Sequence, residues 1–93
     1  MTEELVTLET LKLLEKKGFH EYNYPTQSIA QKWLRETKKL HVEVSYMHGD
    51  YWIYDILTIP NHDLIGLSDR ALVLCKSYEE ALEAGIQEAL KLI

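Results

Sequence analysis

The 93-residue sequence contains a single cysteine, Cys75, so no disulfide can form within the chain. That suits a reducing compartment and leaves Cys75 as a small apolar residue. A catalytic thiol would need a nearby histidine and an electropositive setting, and no local motif supplies them. No apolar run approaches the ~18–20 residues of a membrane span. The opening MTEELVTLET is acidic at once and lacks the basic start of a signal peptide. A cytoplasmic location is the expectation.

Glycine is scarce too. Its four positions form neither a dinucleotide fingerprint nor a P-loop, so nucleotide binding has no support. His20, His41, His48 and His62 show neither the helical i, i+4 pair nor the dense Cys/His spacing of a zinc site. His48 and His62 fall in predicted turns at opposite ends of one strand, which separates them. No serine sits in a nucleophile elbow. No catalytic set, metal or cofactor is therefore assigned, and the chain is read as a non-enzyme.

What remains is ordinary for a globular protein: 46% hydrophobic and 27% charged residues. The length fits one domain over residues 1–93. A chain of this size buries roughly 60–65% of its unfolded surface, so dimerisation would help it. The net charge of −5 argues against a dedicated nucleic-acid binder. The charge is uneven, however. Lys32, Arg35, Lys38 and Lys39 form a basic stretch. From Tyr51 onward, Asp55, Asp63, Asp69, Glu79, Glu80, Glu83 and Glu88 face only Arg70, Lys76 and Lys91.

The spacing predicts a first helix from about Glu3 to Lys17, with Thr2 as N-cap and Gly18 as stop. Leu5, Leu8, Leu11 and Leu14 form its stripe, widened by Val6 and Leu13. Residues 1–18 then need a cover, either the remainder of the domain or a second copy. Pro25 holds Tyr24 extended and ends any continuation. A second helix follows from Thr26 to Lys38, with Ile29, Ala30, Trp33, Leu34 and Thr37 on one face. Thr26 can cap it, or Ser28 can with Gln31.

Leu40 to Met47 alternates as a half-buried strand, with Leu40, Val42, Val44 and Tyr46 inward. His48-Gly49-Asp50 is a turn. Tyr51 to Ile59 is a second strand, with Trp52, Tyr54 and Ile56 inward because the opposite set includes the charged Asp55. Leu64–Leu67 is too short to assign. Ala71 to Cys75 reads as a third strand. The last helix is the clearest element: Ser77 with Glu80 matches the capping box. Its apolar stripe runs from Tyr78 through Ala81, Leu82, Gly85, Ile86, Ala89 and Leu90 to Ile93. Glu79, Glu80, Glu83, Gln87, Glu88 and Lys91 form the solvent face. Gly85 lies within the stripe, implying close approach to the sheet or another helix. The expected fold is α+β, in the order α-α-β-β-β-α: a three-stranded antiparallel meander with helices on one face. Residues 25–93 form its α-β-β-β-α core.

Two surfaces stand out. The leucine-striped first helix and the surplus aromatics give a candidate protein-interaction surface at Leu5, Leu8, Leu11, Tyr22, Tyr24 and Tyr51. A homo-oligomer or another protein is the expected partner, in a non-enzymatic interaction or accessory module. The alternative is a nucleic-acid-associated module using Lys32, Arg35, Lys38 and Lys39, since residues 26–93 share the element order of a double-stranded-RNA-binding domain. Against it, that family opens its second helix on lysines, whereas this chain has Ser77-Tyr78-Glu79-Glu80.

The blocks PTQSIAQKWLRE, from Pro25 to Glu36, and SYEEALEAGIQEAL, from Ser77 to Leu90, carry a further resemblance. On them the chain resembles a group of small uncharacterised proteins of gut Bacteroides-type bacteria and their phages or mobile elements. The resemblance implies a bacterial or phage cytoplasmic protein and transfers no functional residue.

Overall fold

A computed structural model describes residues 4–20, 24–67 and 75–93. Among the described residues the order is α1 (Leu8–Lys16), α2 (Gln27–Trp33), β1 (Leu40–Met47), β2 (Tyr51–Thr58), β3 (Leu64–Leu67) and α3 (Tyr78–Leu92). A π-helical turn over Leu34–Lys38 extends α2. The strands form an antiparallel sheet in the order β1-β2-β3, and the helices pack on it. The fold is α+β with the element order α-α-β-β-β-α.

The first helix is shorter than its leucine spacing predicts. It starts at Leu8, and the N-cap is Thr7, whose hydroxyl accepts the Thr10 N–H at 3.2 Å. Glu4–Val6 is drawn instead into extended pairing beside Pro25–Gln27. Val6 N–H donates to the Pro25 carbonyl at 3.2 Å and Gln27 N–H to the Glu4 carbonyl at 2.8 Å, around a Leu5–Thr26 bridge. Leu5 therefore leaves the helical stripe, and Leu8 points to solvent. The buried positions of α1 are Thr10 and Leu14, with Leu11 and Leu13 half-buried against the core.

The second helix is capped at Thr26, whose hydroxyl accepts the Ile29 N–H at 3.2 Å. Ala30 and Leu34 face inward as the pattern requires, with Trp33 partly buried against them. Ile29 and Thr37 are exposed, and polar Gln27 is fully buried in their stead. After the π turn, Lys39 takes a left-handed conformation (φ 58°, ψ 38°) that turns the chain into β1.

The hairpin keeps Val42 opposite Ile56, Val44 opposite Tyr54 and Tyr46 opposite Trp52. Leu40, Val42, Tyr54 and Ile56 belong to the core. Tyr46 shares their face but is exposed at the hairpin end, its ring beside Trp52 (5.0 Å between centroids). β2 is buried on both faces, since Ile53 and Leu57 are also covered. Charge places Tyr54 and Ile56 inward, as observed, but does not show that Ile53 and Leu57 are covered too: a central strand is buried on both faces.

The third strand is the segment too short to assign. Leu67 pairs with Asp55, Gly66 with Ile56 and Leu64 with Leu57, with a register shift between Ile56 and Leu57. Residues 71–74 of the predicted third strand lie outside the described residues. Its last residue, Cys75, forms an antiparallel bridge with Trp52 (N–H to carbonyl 2.8 Å one way and 3.3 Å the other).

α3 is capped by Ser77, whose hydroxyl accepts the Glu80 N–H at 3.0 Å. The reciprocal half of the box is displaced by one residue: the Glu80 carboxylate accepts from Lys76 N–H at 3.4 Å. Ala81, Leu82, Gly85, Ile86, Ala89 and Leu90 are buried. At Gly85 the helix backbone comes close to the sheet. A Cβ there would lie 2.6 Å from Val42 Cγ1 and 3.0 Å from Tyr54 Cγ. Gly85→Ala gains ~1 kcal/mol of helix propensity but overpacks a stiff β-branched side chain and a ring root, at about 2–3 kcal/mol. A net loss of about 1–2 kcal/mol, read as a lower midpoint in urea with unchanged slope, is the expected outcome.

Candidate functional site

The strongest polar constellation lies where the helices begin. Glu83, in the second turn of α3, was assigned to the solvent face by its spacing. Its carboxylate turns toward α1 and α2 instead. One oxygen accepts from Thr7 N–H (3.0 Å), from the Thr7 hydroxyl (3.0 Å) and from the Thr10 hydroxyl. The other accepts from Gln27 Nε2 at 2.9 Å. Gln27 Nε2 also donates to the Glu79 carbonyl (3.0 Å), and Gln87 Nε2 donates to Thr10 Oγ1 (2.9 Å). Both Gln27 donors meet acceptors, which fixes the orientation of this fully buried amide.

The start of α1 therefore meets α3 at Glu83, where the helix dipole also favours negative charge. At the far end, Lys17 donates to the carbonyl of Ile93. The two helices accordingly run in the same direction. Burial pushes the Glu83 carboxyl up, but the hydrogen bonds from Gln27, Thr10 and Thr7 outweigh it and hold the group below the usual carboxylate range. Glu88, also placed on the solvent face by spacing, accepts from the Tyr54 hydroxyl at 3.0 Å. Burial and then this bond push the Tyr54 phenol upward.

The predicted interaction residues divide. Leu5 (54% exposed), Leu8 (59%) and Tyr24 (42%) lie on the segment that opens α1 and on its pairing partner. The Tyr24 hydroxyl donates to the Val6 carbonyl at 2.9 Å, which ties the two stretches together. Leu11 is half-buried and packs against the core. Tyr51 is half-buried beside Gly49 on the sheet face opposite Trp52 and Tyr54, and so does not join them. Tyr22 lies outside the described residues. A groove of about 460 Å³ adjoins this region, bordered by Glu4, Thr7, Glu79, Glu80 and Glu83.

The basic residues stay together. Lys32 and Arg35 lie on α2 and its π turn, Lys38 ends that turn and Lys39 follows it. Among the described residues none of the four is in an ion pair. Lys38 Nζ stands 5.6 Å from the Trp33 ring centroid, within cation–π range. The Trp33 ring meets Phe19 edge to face at 5.6 Å. Phe19, Ile29, Lys32, Trp33 and Glu36 line a groove of about 310 Å³. Nothing in the spacing of the sequence brought Phe19 to Trp33; that contact is tertiary.

Other candidates are dispersed. His48 lies in the turn before β2 and His62 just past the turn that follows it, at opposite ends of the strand. On the sheet face away from α3, Glu43 is paired opposite Asp55, and His41 Nε2 lies 3.8 Å from Glu43. Among the described residues no three His, Cys, Asp or Glu side chains are arranged to hold a metal ion. Burial, and secondarily Glu80, push the Cys75 thiol up, the reverse of what an activated thiol needs. Among the described residues no helix is long and apolar enough to cross a membrane.

The Glu83 network makes stability depend on acid. A carboxyl with a lowered folded pKa contributes fully above its unfolded value of about 4.3, and that contribution is lost as pH falls through the folded value. Glu83→Ala leaves the donors of Gln27 and Thr10 unmatched and is expected to lower stability by about 2–3 kcal/mol near neutrality. The gap between wild type and Glu83→Gln in thermal melts should close as pH drops through the acid range; a gap constant from neutrality into that range would contradict this assignment.

No protein-family model matches this chain, and no curated protein or solved structure matches it either.

Proposed function

We propose that this chain is a non-enzymatic interaction or accessory module that self-associates. The observation that carries the reading is the exposure of Leu5 and Leu8 on the segment that opens α1 and of Tyr24 on the stretch tied to it. Large apolar side chains gathered in this way favour a partner surface over solvent. The resemblance at Pro25–Glu36 and Ser77–Leu90 supports a cytoplasmic setting in bacteria or their phages. Light scattering across a dilution series should show a species larger than the monomer that dissociates on dilution. Leu5→Ser with Leu8→Ser should move that dissociation to higher concentration while the melt stays within about 0.5 kcal/mol per exposed site. A strict monomer at high concentration sinks the reading.

A second reading rests on a separate observation. Lys32, Arg35, Lys38 and Lys39 follow one another along α2 and its π turn, in no ion pair among the described residues, and Lys38 stands over the Trp33 ring, the combination of cations and aromatic surface that binds nucleic acids. Gel shifts at low salt with RNA and DNA should then show a complex that Lys32→Glu plus Arg35→Glu abolishes. No shift, or a shift indifferent to those substitutions, removes this reading.

A further inference from the structure

We infer that the open edge of β1 pairs antiparallel with β1 of a second copy of this chain, about a two-fold axis through Ser45. This contact is separate from the surface at Leu5 and Leu8 and goes beyond it. The direction of the β1 backbone groups follows from two neighbours. Trp52 donates its N–H to the Cys75 carbonyl and accepts the Cys75 N–H, on the side of β2 away from β1. Tyr46 stands opposite Trp52, so its own N–H and C=O turn away from β2, as antiparallel alternation requires. Val42 presents its carbonyl outward as well, where Gln31 Nε2 donates to it at 2.7 Å. Val44, between them in the alternation, has the same direction. Among the described residues no group meets the outward N–H and C=O of Val44 or Tyr46.

The uncovered stretch, Glu43 to Met47, ends at the Gln31 contact on one side and at the His48 turn on the other. It runs in regular register against β2 and holds no bulge, proline or lysine, devices that keep an edge from pairing. Its outward groups are symmetric about Ser45, which is why the occupant is a second copy. In that arrangement Val44 exchanges two hydrogen bonds with the partner's Tyr46, and the two-fold axis repeats the exchange. Sliding the partner by two residues one way sets Tyr46 opposite Val42, whose carbonyl Gln31 already holds. Sliding it the other way sets Val44 opposite His48, which lies in the turn. Only the central register matches each outward residue with one that is free. There the single charge of the stretch, Glu43, faces the partner's Met47, so no like charges stand opposite each other. Tyr46, 58% exposed, lies across from the partner's half-buried Val44 and covers it. The two sheets then form one continuous sheet.

Cysteine cross-linking reads this register directly. Cys75→Ala removes the native thiol, and every variant is made in that background, with circular dichroism to check that it is folded. Ser45→Cys places two thiols on the axis, in a pair that shares no hydrogen bond, where side chains come closest and a disulfide fits. In a buffer of oxidised and reduced glutathione it should form a covalent dimer. Glu43→Cys alone and Met47→Cys alone should cross-link roughly tenfold less, and an equal mixture of the two should cross-link to each other. Adding Tyr46→Pro to Ser45→Cys removes an outward N–H that the chain's own ladder does not use, a change that edge strands tolerate. Cross-linking should fall roughly tenfold relative to Tyr46→Thr, which loses the same ring but keeps the N–H. No dimer from Ser45→Cys, or no more than from Glu43→Cys, overturns the inference even where wild type associates through Leu5 and Leu8. Equal cross-linking with Tyr46→Pro and Tyr46→Thr overturns it as well. Leu5→Ser with Leu8→Ser should leave the Ser45→Cys dimer intact; loss of the dimer there assigns the contact to the Leu5 and Leu8 surface instead. A Ser45→Cys dimer in a chain whose association ignores Leu5→Ser with Leu8→Ser supports the edge contact and removes that surface.

Discussion

The carboxylate of Glu83 joins the three helices. It receives the backbone N–H and hydroxyl of Thr7 at the cap of α1, the hydroxyl of buried Thr10 and the amide of buried Gln27 on the first residue of α2. Without it, Thr10 and Gln27 would be polar groups in an apolar setting with donors unmatched, at a cost of about 2–3 kcal/mol, a sizeable part of the margin of a small domain. With it, α1 is held against α3 and the extended Glu4–Val6 segment lies beside Pro25–Gln27. One ionised group thus does for the helices what a hydrogen-bond ladder does for strands.

The sheet depends on a different constraint, the distance between α3 and the strands. Gly85 lets the helix backbone settle against Val42 and Tyr54, and the core then closes continuously from Leu14 and Phe19 through Ala30 and Leu34 to Ile56, Ile86 and Leu90. The outer edge of β1 is partly covered as well, because Gln31 Nε2 donates to the Val42 carbonyl at 2.7 Å. An edge carbonyl occupied by a side chain is not available to another strand.

These two constraints also set the surfaces. Drawing Glu4–Val6 out of the helix exposes Leu5 and places it next to Glu4 on the acidic side. Bringing Phe19, at the end of α1, onto Trp33 gives the basic helix an aromatic floor. The charge of −5 is therefore not spread evenly: cations gather along α2 and its π turn, and carboxylates gather where α1 and α3 start. A surface divided in this way is suited to selecting partners by charge as well as by apolar contact.

Local chemistry was enough for part of this. Ser77 as cap, the α3 stripe, the Leu40–Met47 alternation, the Thr26 cap and the α+β order all follow from periodicity and capping within a few residues, because those interactions are themselves local. The rest is long-range. Leucine spacing favoured a helix from Glu3, yet pairing with Pro25–Gln27, some twenty residues away, withdrew Leu5 from it. Leu64–Leu67 became a strand because the edge of β2 offered hydrogen-bond partners, which no four-residue pattern can announce. Glu83 and Glu88 sit at solvent-face spacing on α3, and only the arrival of Thr7, Thr10, Gln27 and Tyr54 from elsewhere in the chain makes them inward partners. The sequence by itself determined which segments are amphipathic and where the last helix begins. The tertiary structure alone decided which polar groups on those segments would be buried, since a buried carboxylate is stable only where donors distant in the chain converge on it.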